Sequence, residues 1–188
     1  MKTRESGMPQ DELWRTFFDP EAVLAALGLT RDVRDVVDFG CGYGTFSLPA
    51  AKIISGALHG FDIDPAMVDE CERRAKENGI RNARFHQRDF VADGTGLDSD
   101  SVDYVMLFNI LHAEQPLVLL REAWRILAPG GRVGVIHWNY DPSTPRGPSM
   151  AIRPRPEDIR RWTEEAGFIV ESCIIDLPPY HYGLIGRK

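Results

Sequence analysis

A short glycine-rich segment, VVDFGCGYG at residues 36–44, constrains the fold of this chain more than any other feature. Three glycines stand at alternate positions directly after an apolar run. Because glycine readily adopts positive φ, such a segment turns sharply and lets a ligand approach the main chain. Ligands of open α/β sheets bind at the carboxyl ends of strands. The segment therefore predicts a strand that ends in a tight turn at a binding site.

Apolar runs alternate with helical patterns along the rest of the chain, which is typical of repeated β-α units and a parallel sheet. The predicted strands are 34–39, 57–62, 83–88, 102–108, 132–138, 168–176 and 180–187. Only the three residues 177–179 join the last two, which is too short for anything but an antiparallel hairpin. We therefore predict an α/β fold with a doubly wound, Rossmann-like, seven-stranded, mostly parallel sheet and an antiparallel C-terminal hairpin.

The length of 188 residues suits one domain with a single core, and we expect residues 1–188 to form it. Residues 1–30 are predicted to be a helical lid, with a helix that Asp19 caps. In this segment Phe17 and Phe18 either cover a ligand or pack into the core. The proline-rich stretch 139–155 is predicted to be a loop on the substrate side.

Charge and hydropathy exclude several classes of partner. The net charge is −6, from 22 basic and 28 acidic residues, whereas DNA binding needs clustered Lys and Arg. No apolar run approaches the roughly 20 residues that span a bilayer, and residues 1–10 lack a signal-peptide core. We expect a cytoplasmic protein with neither a DNA nor a membrane partner. Cys41, Cys71 and Cys173 are far apart and odd in number, so we expect no disulfide framework and no metal site.

Carboxylates lie at the ends of the first two predicted strands. Asp38 precedes a G-x-G-x-G pattern and not the dinucleotide pattern G-x-G-x-x-G. It would repel a pyrophosphate, but it suits S-adenosylmethionine, which carries an ammonium and a sulfonium and no phosphate. Asp62 lies 18 residues after Gly44, near the spacing of about 20 at which an acid grips a ribose diol. Asp64 is better interpreted as the N-cap of the next helix.

Two further groups of candidate site residues follow the third and fourth predicted strands. Asp89 can accept a hydrogen bond from an adenine amino group, and Phe90 can bound the ring. The alternative for Asp89 is a turn cap. Asn109 follows strand 102–108, and it is either a site residue or a loop hydrogen bonder.

From Phe17 to Phe168 these marks occur in an order that resembles the class I S-adenosylmethionine-dependent methyltransferases, specifically the small-molecule branch. LAPGG at 127–131 matches the turn that this family has before its fifth strand. The resemblance implies that the glycine loop holds the methionine part, that Asp62 binds the ribose hydroxyls, and that Asp89 and Phe90 meet the adenine. The residue matching Asn109 lies beside the methyl. The predicted cofactor-binding residues are Asp38, Gly40, Cys41, Gly42, Gly44, Asp62, Ile63, Met67, Asp89, Phe90 and Asn109.

The resemblance implies in-line displacement at the sulfonium methyl, with S-adenosylhomocysteine as the product. Positioning and desolvation then carry most of the catalysis, and a base is needed only for a protonated nucleophile. His112 and His137 are the candidate bases, although each is also explained as a structural histidine. His137, Trp138 and Tyr140 either line a substrate pocket or belong to the core.

Two other features receive mainly structural interpretations. Arg153 and Arg155 are expected to be solvated charges, with contact to an anionic substrate as the alternative. Pro178-Pro179-Tyr180 resembles part of the Asn/Asp-Pro-Pro-Tyr signature of DNA amino-methylating enzymes. That signature directly follows strand four, whereas this tripeptide lies in the last hairpin after Leu177, so we reject DNA base methylation.

The leading prediction is a methyltransferase that acts on a small molecule. Only the N-terminal segment and the loop 139–155 are left for substrate recognition, so the acceptor is small or a second subunit of a homodimer completes the site. The alternatives are a protein or tRNA methyltransferase and a non-catalytic module that binds S-adenosylmethionine. A nicotinamide-dependent reductase is disfavoured by Asp38 and by the glycine spacing.

Overall fold

The computed structural model describes residues 16–171 and 173–188. In chain order the described elements are α1 (Pro20–Ala26), β1 (Val36–Phe39), α2 (Ser47–Ile53), β2 (Leu58–Asp62), α3 (Pro65–Glu77), β3 (Ala83–Gln87), β4 (Val102–Phe108), α4 (Pro116–Ile126), β5 (Leu127–Trp138), α5 (Pro156–Glu165), β6 (Ile169–Val170), β7 (Ile175–Leu177) and β8 (His181–Arg187). The alternation of strands and helices confirms the predicted α/β class.

The strands form one sheet in the order β3-β2-β1-β4-β5-β8, with β6 and β7 both on the outer side of β8. Neighbours from β3 to β5 run parallel, and β8 runs antiparallel to β5. The chain order reverses between β1 and β4, which lie side by side. Ligands of such sheets bind at this switch point, outside the carboxyl ends of the strands.

The C-terminal hairpin differs in detail from the prediction. The single strand predicted at 168–176 is divided into β6 and β7, and both pair antiparallel with β8. Together they fill one position, so the sheet has seven positions across. β5 is longer than predicted because it includes residues 127–131, which were expected to form a turn. Its register against β4 shifts between Val102 and Tyr104, and this irregularity accommodates the extra residues.

Helix starts follow the predicted capping chemistry. The Asp19 carboxylate accepts the N–H of Ala22 at 3.1 Å, and the Asp64 carboxylate accepts the N–H of Ala66 at 2.9 Å. Each cap is followed by a proline at the first helical position, where the missing N–H costs no hydrogen bond. α3 therefore begins directly after the end of β2, which fixes the loop that carries Asp62.

The core consists of two apolar layers, one on each face of the sheet. One layer joins α1, α2 and α3 to alternate side chains of the strands, including Tyr104 and Trp138. The other joins α4 and α5 to the intervening side chains, including Leu107 and Val135. This alternation is the period of a strand that is covered on both faces. Among the described residues, no helix is long and apolar enough to cross a bilayer.

The predicted N-terminal lid lies partly outside the described residues, since residues 1–15 are not among them. Phe17 and Phe18 are described, and both are buried. The Phe17 ring lies 5.3 Å from the Trp138 ring, and the Phe18 ring lies 5.0 Å from the Phe46 ring, both edge-on. Their packing favours the core interpretation over an open cover.

Candidate functional site

A cavity of about 400 Å³ opens at the carboxyl edge of the sheet, beside the switch point. This volume lies within the range of small-ligand sites, which is roughly 300–1,000 Å³. Residues after four different strands line it, and they include Gly40, Asp62, Ile63, Asp89, Phe90, Ile110 and His112. Five of the predicted cofactor-binding residues thus surround one space. Met67, in the first turn of α3, does not line this cavity.

The glycine turn is tied to the neighbouring strand by its main chain. The N–H groups of Gly40 and Cys41 both donate to the carbonyl of Phe61, at 2.8 and 3.0 Å. Gly40 has φ +77°, and a Cβ there would lie 3.1 Å from Ile110 Cδ1. A larger residue would therefore be strained and would press on the wall of the cavity. Gly44 is restricted in the same way by Leu48.

Asp62 is fixed by the main chain on both sides. Its Oδ2 accepts the N–H of Gly42 at 2.9 Å, and its Oδ1 accepts the N–H of Asp64 at 3.0 Å. A carboxylate offers about four acceptor positions, so two lone pairs remain for a ligand. Burial raises the pKa of Asp62, although the bonds from Asp64 and Gly42 oppose the rise. The carboxylate is thus held rigidly at the cavity wall with acceptor capacity to spare.

Asp38 lies beneath the same turn and is only 3% exposed. The hydroxyl of Ser47, the first residue of α2, donates to its carboxylate. Burial raises the pKa of Asp38 to about 7, and the nearby charge of Asp62 contributes to the rise. No described Lys or Arg pairs with either acid. Two carboxylates without a cation therefore lie side by side at the switch point.

Asp89 and Phe90 form the far wall of the cavity. Asp89 Oδ1 accepts the N–H groups of Val91 and Ala92, at 3.2 and 3.1 Å, so the turn-cap interpretation is correct for this oxygen. Phe90 is buried edge-on against Phe39, with ring centroids 5.2 Å apart. Both residues line the cavity. The cap orients the loop, and the aromatic ring gives it an apolar surface.

Arg88 holds the same loop from the other side, a role that no pattern in the sequence indicates. Its Nε donates to the carbonyl of Gly94 at 2.6 Å, and its Nη2 donates to the carbonyl of Asp93 at 3.1 Å. An arginine in a polar stretch is usually a solvated charge. Only the fold, which bends residues 89–95 back over the end of β3, brings these carbonyls within reach.

Asn109 has a strained backbone and a buried amide. Its φ is +55°, which is uncommon for a residue other than glycine. Both polar atoms of its side chain are buried and lack a hydrogen-bond partner among the described residues. Its own N–H donates to the carbonyl of Ile136 at 2.8 Å. Strain and unsatisfied polar groups concentrate at functional sites, and this one lies beside Gly40 at the switch point.

The two predicted bases lie at different depths. His112 lines the cavity, whereas His137 lies behind it and has no exposed surface. The two rings meet edge-on, with centroids 5.6 Å apart. Burial, followed by the proximity of His112, lowers the pKa of His137 well below its ordinary value. His137 is therefore neutral and enclosed, as expected of a structural histidine.

The cysteines lie closer in space than in sequence. The sulfurs of Cys41 and Cys71 are 3.9 Å apart, and the Cys71 thiol donates to the carbonyl of Gly42 at 3.1 Å. Both are free thiols and buried. The hydrogen bond with Cys71, followed by burial, raises the pKa of Cys41. Cys41 is thus a protonated packing residue of the glycine loop, in keeping with its interpretation as a non-nucleophile.

The prediction for Arg153 was wrong, because Arg153 is 8% exposed and organises the loop 139–155. Its guanidinium donates to a set of loop acceptors, namely the carbonyls of Pro148, Asn139, Asp141 and Arg146 and the hydroxyl of Thr144. Arg155, in contrast, is exposed and lies over the Tyr140 ring at 3.8 Å. The sequence pattern Arg-Pro-Arg offers no signal that separates the buried arginine from the exposed one.

His181 is a further residue that the sequence analysis missed. It is the first residue of β8, lies opposite Trp138 of β5 and is 1% exposed. Its ring lies between Phe18 and Trp138, with centroid distances of 4.3 and 4.2 Å. Both ring nitrogens lack a hydrogen-bond partner among the described residues. The pairing of β5 with β8 places it there, and only a correct hairpin register predicts this.

Comparison with known proteins agrees with this geometry. A family model described as a methyltransferase domain matches residues 36–131, which is just over half of the chain. Aklanonic acid methyltransferase DauC of Streptomyces sp. strain C5 is 32% identical over 133 residues, which cover 69% of this chain and 60% of that protein. The ribosomal protein L11 methyltransferase of Geobacillus thermodenitrificans is 26% identical, over 81% of this chain and 44% of its own length. This chain therefore spans less than two thirds of either relative.

Solved structures agree with the fold. A S-adenosylmethionine-dependent methyltransferase from Aquifex aeolicus superposes with a TM-score of 0.81. The two chains share 23% identity, and the match covers 91% of this chain and 90% of the other. This likeness shows the fold, and the family model that matches residues 36–131 shows the family. The chain belongs to the class I S-adenosylmethionine-dependent methyltransferase family.

Proposed function

We propose that this protein transfers the methyl group of S-adenosylmethionine to a small-molecule acceptor. The observation that carries the cofactor assignment is the pair of carboxylates, Asp38 and Asp62, beside the glycine turn and without a described cationic partner. A buried pair of like charges is costly, and a ligand that carries positive charge relieves the cost. S-adenosylmethionine brings an ammonium and a sulfonium, whereas a dinucleotide brings a pyrophosphate.

The residues of the cavity suit each part of this cofactor. The two spare lone pairs of Asp62 suit a ribose diol, and Ile63 and Phe90 offer apolar surface to a base. Gly40 leaves room that a Cβ would fill. The unsatisfied amide of Asn109 and the unsatisfied hydroxyl of Thr45 offer hydrogen bonds around the glycine turn. These residues would hold the cofactor, and its sulfonium would supply an already activated methyl group.

In this reaction the protein therefore mainly positions the reactants and excludes water. Gly42 and Asp64 hold the Asp62 carboxylate from both sides, and Ser47 holds Asp38. Such preorganisation removes the entropy cost of alignment from the transfer step. His112 lines the cavity and is the candidate to accept a proton, whereas His137 is enclosed behind it.

A small acceptor is supported by the compactness of the substrate-side loop. Residues 139–153 fold back around the guanidinium of Arg153, which bonds the carbonyls of Pro148, Asn139 and Asp141. The net charge of −6 is unfavourable for an RNA acceptor. The first relative above is named for a small acid, although the second is named for a ribosomal protein.

The test is turnover. Full-length protein is incubated with methyl-labelled S-adenosylmethionine and either a metabolite panel, bulk tRNA or a ribosomal protein fraction, and S-adenosylhomocysteine is measured. We expect product only with a member of the metabolite panel, and we expect Asp62→Ala to abolish it at limiting cofactor. Product with tRNA or protein alone would contradict the small-molecule assignment. Cofactor binding without any product would support the non-catalytic alternative.

A further inference from the structure

A second cluster of unusual side chains lies on the other side of the switch point, at the carboxyl end of β5. Trp138 ends this strand, and His181 faces it from β8. Phe17, Phe18 and Tyr180 close the cluster, with Tyr180 6.3 Å from Trp138 and 6.0 Å from Phe17 between ring centroids. Two of these rings, those of Phe18 and Trp138, contact the imidazole of His181, and Phe17 and Tyr180 pack around Trp138.

This buried imidazole is unsatisfied. Neither nitrogen of His181 has a hydrogen-bond partner among the described residues, although the residue is only 1% exposed. A buried polar group without a partner costs roughly 1–3 kcal/mol. Burial, followed by the charge of Arg153, lowers the pKa of His181 to about 3, so the ring stays neutral. A neutral imidazole offers one donor and one acceptor to a ligand.

Arg153 lies against the same cluster. A Cβ on Gly147 would be 2.8 Å from both Arg153 Nη2 and Trp138 Cγ, so the guanidinium and the indole flank one glycine. Arg153 forms no ion pair with any carboxylate in the described part of the chain, and its Nη2 donates only to the carbonyl of Arg146. Its hydrogen bonds go to main-chain carbonyls and to the Thr144 hydroxyl, and the Asp141 carboxylate that acts on its charge is itself exposed to solvent.

Aromatic packing connects the cluster to Asn109, the residue with the unpartnered amide after β4. The Phe18 ring packs on Phe46, and Phe46 packs on Phe108 at 4.9 Å. Asn109 follows Phe108 directly, and its N–H is bonded to the carbonyl of Ile136, two residues before Trp138. Aromatic rings therefore run without interruption from Asn109 to His181. A planar ligand that parts the Phe18 and His181 rings would keep their apolar faces buried and would reach the unpartnered nitrogens.

We propose that Trp138, His181 and Arg153 form the acceptor-binding site and that this site takes a planar aromatic anion. The aromatic walls select a flat apolar body, and the buried guanidinium selects a negative charge, either a carboxylate or a phenolate. This inference rests on the proposed methyl transfer, because it names the class of the acceptor.

The test is a binding measurement that does not require turnover. Full-length protein saturated with S-adenosylhomocysteine is titrated calorimetrically with naphthoate, with ionised nitronaphtholate and with neutral naphthamide. We expect at least one of the anions to bind about tenfold or more tightly than the amide, which corresponds to about 1.4 kcal/mol. The better anion distinguishes a carboxylate from a phenolate acceptor. Equal affinity for all three probes, or no binding of either anion, would overturn the proposal.

Two variants assign the effect to these side chains. His181→Phe keeps an aromatic ring in the cluster but removes the nitrogens, and we expect it to weaken anion binding about tenfold with unchanged affinity for S-adenosylhomocysteine. Arg153→Gln should abolish the preference for the anions over the amide. His86→Phe, at a half-buried position on β3, is the matched control and should change neither affinity. An unchanged anion affinity in His181→Phe would refute the site even if Arg153→Gln does not fold.

Failure of this proposal is distinguishable from failure of the proposed function. Protein that binds S-adenosylhomocysteine but none of the aromatic anions would retain its place as a cofactor-dependent enzyme with a different acceptor. Protein that does not bind S-adenosylhomocysteine at all would refute the cofactor assignment itself.

Discussion

The two sides of the switch point have opposite chemistry. The edge formed by the ends of β1 and β2 carries two carboxylates, Asp38 and Asp62, that no described cation neutralises. The edge formed by β5, β8 and the loop 139–155 carries the buried guanidinium of Arg153, which forms no ion pair with a described carboxylate, and a set of neutral aromatic and imidazole rings. The charges on each edge are held by hydrogen bonds to neutral groups instead of by each other.

This separation indicates how one small sheet can receive two different ligands. Had Arg153 paired with Asp38, the site would be neutral and indifferent to ligand charge. Because the charges are kept apart, we propose that the acidic edge receives the cationic cofactor and that the edge with Arg153 receives an anionic acceptor. A buried charge without a counter-charge is expensive to maintain, so the pair Asp38 and Asp62 favours ligand binding over fold stability as the explanation for the acidic edge.

The largest effect is expected on the acidic edge, at Asp62. Asp62→Ala removes the acceptors for a ribose diol and also releases the N–H of Gly42 from the turn. One or two charge-assisted hydrogen bonds are worth roughly 1.5–3 kcal/mol each. We therefore expect the affinity for S-adenosylhomocysteine to fall about 100-fold, measured by calorimetry.

Asp69→Asn is the matched control for this change, since Asp69 is an exposed acid on α3. It alters the net charge by the same amount without touching the cavity. A similar loss of affinity in both variants would show that long-range charge, and not the geometry of Asp62, accounts for the effect.

Replacement of Asp38 should increase the stability of the ligand-free protein, and the size of the increase should depend on pH. Its pKa is raised from 3.8 to about 7 by burial, so the folded protein holds this proton more tightly than the unfolded chain does. The stability contribution is therefore present below about pH 4 and is lost as the pH rises towards 7. Asp38→Asn should make the ligand-free protein more stable above pH 7, by on the order of 2 kcal/mol.

Chemical denaturation over a pH series checks this prediction. The difference between wild type and Asp38→Asn should vanish in acid and reach its maximum above pH 7. At that pH, the variant should bind S-adenosylmethionine more weakly, because it gains stability by giving up the negative charge. A stability difference that does not vary with pH would contradict the raised pKa of Asp38.

The smallest effect is expected for alanine substitution of a glycine with positive φ. A comparison of two such glycines separates the cost of backbone strain from the loss of ligand contact. Gly40 and Gly79 both have positive φ, +77° and +67°. A Cβ added to Gly40 would lie 3.1 Å from Ile110, whereas a Cβ added to Gly79 would have no described atom within 4 Å. Alanine at either position should cost about 1 kcal/mol of stability, measured by denaturant unfolding.

Only Gly40→Ala should also weaken cofactor binding, because Gly40 lines the cavity and Gly79 ends α3 far from it. The comparison fails if both variants bind S-adenosylhomocysteine as the wild type does. In that case the cavity would have room for the extra methyl group, and the glycine would serve only the turn.

The acidic edge could be predicted from the sequence, whereas the basic edge could not. Asp38, Gly40 and Asp62 lie within short segments whose spacing directly reflects a strand, a turn and the start of a helix. Local geometry is therefore sufficient to place them at the end of the sheet. The caps at Asp19 and Asp64 follow from equally local chemistry.

Arg153 and His181 depend on contacts between distant parts of the chain. Arg153 is buried only because the loop 139–153 folds back on its own carbonyls, and His181 meets Trp138 only through the register of β5 with β8. The division of the predicted strand 168–176 into β6 and β7 has a similar origin, since both pair with β8 at different points. Residue spacing carries no information about such pairings.

The most direct test of the account is a titration of the same wild-type preparation with S-adenosylmethionine, S-adenosylhomocysteine and a nicotinamide dinucleotide. The acidic edge predicts that both adenosyl compounds bind and that the dinucleotide binds at least about 100-fold more weakly, because its pyrophosphate would meet Asp38 and Asp62. Tight binding of the dinucleotide, together with no binding of either adenosyl compound, would contradict the account.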